Sequence, residues 1–411
     1  MTSALILRQF RAAVFLPTAM LWLATLICSH TAGAQAPQGS LADRLKAVQS
    51  GHEGPPPPTL AVWSPVSSTT SSMIIPLVKG LIVSGAMAGD DGDQEQIRSI
   101  TDVTAAAVTL EVEWDKPGPI AGQPPTRIVT TRIVDRADLA TAHRFMIYFH
   151  NGEREHYPGS TGFGTSAEVI NQLRAGRLTE LLLEAYPDPK MTMYTLMQAK
   201  TELVGWNGNP MYKCNLHRVG TADVATPMLV NGERVDLPAI HGSCMIGRNE
   251  VHLYFLDQPS NPLLLASQGV RGISQMVKID FPPTSPEGQS RMERALAAKK
   301  PVDVYGIYFD FNSATIKPES AAVLRQIVAI LHKHPHWKLS VSGFTDNIGT
   351  DEANLLLSRR RAAAVKKALV SRYNIAPDRL ATSGYGASSP IESNATLEGR
   401  ARNRRVELQR Q

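Results

Sequence analysis

Ser342-Gly343-Phe344-Thr345-Asp346-Asn347-Ile348-Gly349, followed by Asn354 and then by Leu357-Ser358-Arg359-Arg360-Arg361-Ala362, is the stretch that decides how this chain is read. Lys338 to Gly343 alternates with period two, as a half-buried strand does. Asp346, Asn347 and Gly349 then end it with turn chemistry. A long helix is predicted over residues 352–372, with Leu355, Ala362, Val365 and Leu369 along one stripe.

The flanks extend the pattern in both directions. Upstream, Val302 to Phe311 is β-branched and aromatic, as a strand should be. Pro318 then opens a helix, Ala322, Leu324, Ile327, Val328, Ile330 and Leu331 give it an apolar face, and Pro335 stops it. Downstream, Arg379 to Gly386 and Arg404 to Leu408 read as two more strands, separated by a loop that runs into Gly399-Arg400-Ala401-Arg402-Asn403-Arg404-Arg405-Val406-Glu407. The order β-α-β-α-β-β predicts a two-layer α/β sandwich.

Together these motifs resemble the OmpA-like peptidoglycan-binding domain of outer-membrane proteins, Pal lipoproteins and MotB-type stator proteins, over residues 302–411. The resemblance implies noncovalent binding of peptidoglycan, with Asp346 and Arg361 jointly holding the diaminopimelate side chain of a stem peptide. Asn354, Asn312 and, more weakly, Thr345 match positions that line the family's pocket. The chemistry is sensible, because a free diaminopimelate end carries both an ammonium and a carboxylate. A host needs one anion and one planar cation that binds carboxylate through two hydrogen bonds. Taken singly, an aspartate in a turn usually caps backbone N–H groups and arginines on a helix usually form a solvated face; the joint occurrence carries the reading. Leu357, one turn before Arg361, offers its stem an apolar neighbour. One departure stands out: the family commonly has Gly-His-Thr-Asp where this chain has Gly-Phe-Thr-Asp, so Phe344 removes a polar group beside the site. Arg402, Arg404 and Arg405 are expected to serve the fold and its surface, or to meet acidic wall groups.

The other end of the chain bears on localisation. Arg8 and Arg11 precede an apolar run from Ala12 to Cys28, and Ala32-Gly33-Ala34 supplies small residues where signal peptidase reads. Residues 1–34 are therefore expected to be a signal peptide cleaved before Gln35, placing the protein in the periplasm or at the outer membrane. Lipidation at Cys28 is disfavoured because Ile27 is too large for a lipobox. An uncleaved anchor is disfavoured by Pro17 and by the short apolar run. Cys214 and Cys244 then remain, either as two buried thiols or, as the oxidising compartment and even count favour, as a disulfide.

The full chain of 411 residues carries a net charge of +5, yet residues 301–411 alone hold sixteen Lys and Arg against ten Asp and Glu. The basic character belongs to the C-terminal module. Export and the lack of a nucleic-acid motif point to an acidic glycan-peptide partner, not to nucleic acid. Residues 35–58 end in Gly51-His52-Glu53-Gly54-Pro55-Pro56-Pro57-Pro58, a stiff spacer that leaves Leu41 to Val48 as a short helix at most. Residues 286–301 form a second linker that is helical from about Met292.

Between the linkers, residues 59–285 read as a mainly β region, one unit or two subdomains, with strands over 104–114, 126–134, 144–150, 200–206, 251–256 and 275–281. Asn151-Gly152 and Asn231-Gly232 signal hairpins. One helix is expected, with Thr165 and Glu168 at capping-box spacing and the apolar pattern running to about Tyr186. His150, Glu153, Glu155 and His156 cluster but straddle a turn, so a solvated loop is expected there. Asp90, Asp91, Asp93 and Glu95 lack EF-hand spacing and read as an acidic hairpin tip. With no catalytic motif, metal set or cofactor signature, the expectation is a non-enzymatic anchor protein. The rival is a periplasmic enzyme or ligand-binding region tethered to the wall.

Overall fold

The computed structural model describes Leu60 and residues 63–67, 71–88, 93–116, 125–147, 149, 152–184, 203–204, 210–269, 272–282 and 287–411. The expected leader and its cleavage point, the proline-rich spacer and the short helix at Leu41 to Val48 lie outside these residues, as do His150, Asn151, Asp90 and Asp91.

The first part is a β region: β1 Ile82–Met87, β2 Gln94–Val103, β3 Ala107–Lys116, β4 Thr126–Asp135, helix α1 Arg136–Thr141, β5 Arg144–Phe145, β6 Arg154–His156, helix α2 Ala167–Arg174, β7 Thr179–Glu184, β8 Leu203–Val204, β9 Pro210–Arg218, β10 Val224–Val230, β11 Glu233–Ile246, β12 Asn249–Leu256, β13 Leu264–Gln268 and β14 Ile273–Asp280. The β10–β11 hairpin shows how local sequence sets register. Asn231 and Gly232 both adopt positive φ, 48° and 79°, as a two-residue turn matched to strand twist demands. Seven paired residues follow, from Val230↔Glu233 to Val224↔Ala239. Strand β10 also pairs β14, so β10 to β14 close on themselves. The meander β1 to β4 extends from β14. Apolar residues of these strands form two cores, one around Leu110, Leu237, Leu265 and Ile279 and one around Phe145, Leu173, Leu216 and Phe255. In the second, Cys214 and Cys244 form a disulfide between β9 and β11.

The expected helix running to Tyr186 is corrected, because α2 ends at Arg174 and a strand follows. Ser166, not Thr165, is the cap, accepting from the Val169 N–H. Gly176 at φ 66° ends the turn, and Leu181 and Leu183 then alternate into the core while Leu178 is 66% exposed. Leucines at 178, 181 and 182 fit a helical period, which is why the pattern misled. The single helix expected is thus two, α1 and α2.

Two carboxyl groups, Asp223 and Asp257, lie against each other in the β region. Asp223 pairs with Arg218 at 2.7 Å and Asp257 pairs with Arg174. Burial, then the hydrogen bond and charge of Asp257, push the Asp223 carboxyl up to about 6 against the two arginines. Its folded value lies above the unfolded one, so the folded state holds the extra proton and this group favours folding increasingly as pH falls from about 7 towards 4. Asp223→Asn should flatten that part of the pH dependence. Urea midpoints for both proteins between pH 4.5 and 7.5 measure it; parallel curves would exclude this pair as the source.

Helix α3, Glu287–Ala297, leads into the C-terminal domain: β15 Val302–Val304, α4 Ala321–Lys333, β16 Leu339–Gly343, α5 Asp351–Tyr373, β17 Leu380–Gly384, α6 Leu397–Asn403 and β18 Val406–Arg410. The sheet order is β15-β18-β16-β17, with β16 and β17 parallel and the other pairs antiparallel. Leu324, Ile327 and Leu331 of α4 and Ala362, Val365 and Leu369 of α5 bury against Leu339, Val341 and Leu408, giving the two layers. Close approach of α5 to the sheet requires glycine at Gly343 and Gly384, where a Cβ would stand 2.3 Å from Ser358 O and from Arg359 N. The first strand is shorter than the sequence suggests, since the Tyr308 backbone bonds Ser320 Oγ and the Lys317 N–H instead of a neighbouring strand. The expected loop before the last strand contains α6.

That helix packs on the β region. Leu397 and Ala401 bury with Ala86 and Val277 of β1 and β14. Polar contacts continue the junction: Tyr308 Oη donates to Asp280 at 2.5 Å, and the Phe311 N–H donates to Asp115 at 2.7 Å. Lys317 places its ammonium among Glu113 at 2.5 Å, Asp115 at 3.2 Å and Asp310 at 3.5 Å.

Candidate functional site

The site forms where β16 hands over to α5. Thr350 caps α5 through the Ala353 N–H, and the loop Phe344 to Gly349 folds back on itself. Asp346 Oδ1 accepts from the Ile348 N–H at 3.0 Å, and Asn354 Nδ2 donates to Ile348 O at 3.0 Å. Both side chains are buried, Asp346 at 7% and Asn354 at 6% exposure. Thr345 is buried too, and its Oγ1 has no hydrogen-bond partner among the described residues.

Arg361, on α5, reaches across to the segment after β15. Its Nε donates to Ser313 O at 3.0 Å, and its guanidinium lies 4.9 Å from the centre of the Phe309 ring. Phe309 thus supplies the aromatic face against which the cation packs. Neighbouring Asn312 sits at φ 48° with its side chain exposed. Burial lowers the Arg361 pKa to about 10, with Glu95 and Asp346 acting to hold the charge and Arg404 against it. Asp346 and Asn354 are therefore tied together through Ile348 with Thr345 beside them, while Arg361 lies further along α5 and bonds instead to Ser313, next to Asn312.

Phe344 fills a structural place. Its ring stacks on Tyr385 at 5.2 Å, and Arg405 lies over it at 3.8 Å while donating to Asp303 at 2.9 Å. A histidine there would be sandwiched similarly, so this substitution preserves the stack and drops a polar edge.

Sequence reasoning missed Arg404. It lies beside Asp346, donating to it at 2.5 Å, to Glu95 at 2.9 Å and to Asp93 at 3.1 Å. Burial opposes its charge, but Glu95, Asp346 and Asp93 raise its pKa further above the ordinary arginine value. The expected acidic hairpin tip is corrected on the same ground: Asp93 is 7% exposed and bonded to Arg400 at 2.8 Å. Its alternating charges looked solvated because their partners lie some three hundred residues away. The solvated-loop expectation fails at Glu155 as well, which is 3% exposed and pairs with Arg132 at 2.7 Å. Glu113, Asp115 and Asp310 are grouped as a metal site would be, but the Lys317 ammonium already sits among them.

A cavity of about 380 Å³ opens in the β region, lined by Trp114, Phe149, Met276 and Arg98 together with Lys116 and with Glu95 and Asp115 of the junction. The Arg98 guanidinium donates from Nε and Nη2 to Gln96 Oε1, at 3.0 and 2.8 Å, and has no carboxylate partner among the described residues.

Residues 308–404 match the family model described as the OmpA family. The C-terminal domain belongs to the OmpA family. Outer membrane protein A of Bordetella avium is 44% identical over 121 residues, 29% of this chain and 62% of that protein. Peptidoglycan-binding protein ArfA of Mycobacterium bovis is 41% identical over 102 residues, 25% of this chain and 31% of that protein. The solved peptidoglycan-associated lipoprotein from Burkholderia pseudomallei is 30% identical, with a TM-score of 0.26 and coverage of 31% of this chain and 98% of its own. The chain spans less than two thirds of the first curated relatives it matches. The OmpA-family domain accounts for the two-layer sandwich, and the β region before it lies outside the match.

Proposed function

We propose that this chain binds peptidoglycan noncovalently through its OmpA-family domain and anchors the β region, or the outer membrane, to the cell wall. The observation that supports the reading is the match of residues 308–404, which include Asp346 and Arg361, to the OmpA family, whose relatives include a protein named for peptidoglycan binding. In this reading the ligand is the diaminopimelate end of a stem peptide. Asp346 takes the ammonium, Arg361 takes the carboxylate against Phe309, and Asn354, Asn312 and Thr345 add neutral hydrogen bonds. Thr345 Oγ1, buried and unpartnered among the described residues, is suited to that task. The protein works in the periplasm or at the outer membrane, as a binder and not an enzyme.

Arg361→Ala removes the charged partner of the ligand carboxylate, a loss of about 2 kcal/mol or more, or about thirtyfold in affinity. Cosedimentation of the intact chain with diaminopimelate-type sacculi, with and without free diaminopimelate as competitor, measures it. Undiminished binding by a folded Arg361→Ala protein would sink the assignment of this residue.

The cavity beside Arg98 favours a second reading, in which the β region carries a small amphipathic anion and the OmpA-family domain tethers it. The aromatic wall of Trp114 and Phe149 beside Arg98 and Lys116 suits such a ligand, although Glu95 and Asp115 on the same lining oppose an anion. A small molecule copurifying with the protein, and lost from Arg98→Met, would support it. A ligand-free preparation whose tryptophan fluorescence is unmoved by a medium-chain fatty acid would count against it.

A further inference from the structure

The chain's own β region sends two carboxylates to the arginine that stands beside Asp346. Asp93 and Glu95, at the start of β2, direct carboxylates at Arg404, and Asp93 also takes two hydrogen bonds from Arg400, with Nε at 2.8 Å. Among the charges that act on Arg361, Glu95 contributes more than Asp346 does. Arg404 in turn holds Asp346, so one half of the ligand-binding pair is engaged through a guanidinium that the β region's own carboxylates also hold. Around them, Asp115 binds the Phe311 N–H beside Asn312, and α6 seals one edge through Leu397 and Ala401 against Ala86 and Val277. The buried Asp93–Arg400 pair, with side chains 1% and 2% exposed, shows that water does not reach this junction freely.

We propose that the β region closes the peptidoglycan site in cis: Glu95 takes the place of the ligand carboxylate towards Arg361 and Arg404, and the wall must displace it to bind. The proposal rests on the peptidoglycan reading of this site. The chain then exchanges between the closed state described here and an open state in which β2 has withdrawn and the domain is free. Apparent affinity for the wall is the intrinsic affinity multiplied by the open fraction. The contacts at stake are ionic on both sides, so a ligand that brings its own carboxylate and ammonium can replace them charge for charge. A wholly apolar seal would offer no such exchange.

The test uses the intact mature chain and purified sacculi. If closure limits binding, an open fraction near one in ten gives a gain of about tenfold in the Asp93→Asn/Glu95→Gln double variant. Adding Arg361→Ala in that background should abolish the gain. Amide hydrogen exchange at residues 344–350, without sacculi, reports opening independently and should quicken in the double variant. Because the double variant leaves Arg400 and Arg404 short of carboxylates, Glu95→Gln alone, which keeps shape and an acceptor oxygen, serves as the milder probe and should give a smaller gain in the same direction. Equal, Arg361-dependent binding by wild type and both variants overturns the closure while leaving the peptidoglycan reading intact. Absence of binding by folded variants whose exchange shows an opened site overturns the peptidoglycan reading, and the proposal with it.

Discussion

Arg132→Ala should lower the stability of the chain by about 3–5 kcal/mol, the cost of removing one partner from a buried ion pair. Arg132 is 2% exposed and is among the largest fully buried side chains. It donates from Nε and Nη2 to Glu155 at 2.9 and 2.7 Å and from Nη1 to Met146 O at 2.5 Å. Phe149 lies 4.0 Å from its guanidinium and Tyr157 at 5.4 Å. Truncation would deprive the Glu155 carboxylate, 3% exposed, of both guanidinium bonds, and would empty the volume between the rings. The chain is built around this cation, since a Cβ at Gly162 would come within 2.8 Å of Arg132 Cδ. Replacing both partners at once, Arg132→Met with Glu155→Leu, should recover part of the loss, because neither member of this pair is then left as a buried charge without the other. Urea unfolding of the two variants separates the explanations. If the double variant is as unstable as Arg132→Ala, packing rather than charge sets the penalty.

How far the sequence could be read depends on where each residue's partner lies. In the C-terminal domain the decisive contacts are local or belong to one repeating face. The β16 alternation, the α5 stripe and the Thr350 cap stand in the order in which they pack, whereas Asp346, Asn354 and Arg361 are singled out only through the resemblance of their motifs to the OmpA-like family. The β region was legible where turn chemistry was explicit, as at Asn231-Gly232. It was misread where one segment satisfied two periods, as at Leu178 to Leu182, whose fate was decided by Gly176 and by pairing with β9. Long strands such as β11, with Pro238, Gly242 and Ser243 inside it, lack the clean alternation that identifies a strand exposed on one face, because much of both faces is covered. The ionic junction was beyond reach for another reason. Asp93, Glu95 and Arg404 are individually ordinary charged residues, and only tertiary closure shows them to be partners.

Arg404→Ala should have an effect of the same order, about 3–5 kcal/mol, and it tests whether the Asp346 site and the domain junction are one electrostatic unit. Three carboxylates converge on this guanidinium, from Asp93, Glu95 and Asp346. Burial would by itself raise the pKa of Glu95, but Arg404, then Lys278 and Arg361, hold it down at about 2. That folded value lies below the ordinary 4.5, so the contribution is fully present above about pH 4.5 and is lost as pH falls towards 2. Removing Arg404 leaves Asp93 to Arg400 but deprives Glu95 and Asp346 of their shortest charged contact. The expected result is a lower urea midpoint at pH 7 and a weaker dependence of stability on pH between 4.5 and 2. Arg404→Lys should restore less than half, since a single ammonium cannot reach three carboxylates as a planar fork does. Coupling between Arg404→Ala and Asp346→Asn in a double-mutant cycle is expected at about 1–3 kcal/mol. A coupling near zero would mean that the two residues are neighbours without being partners.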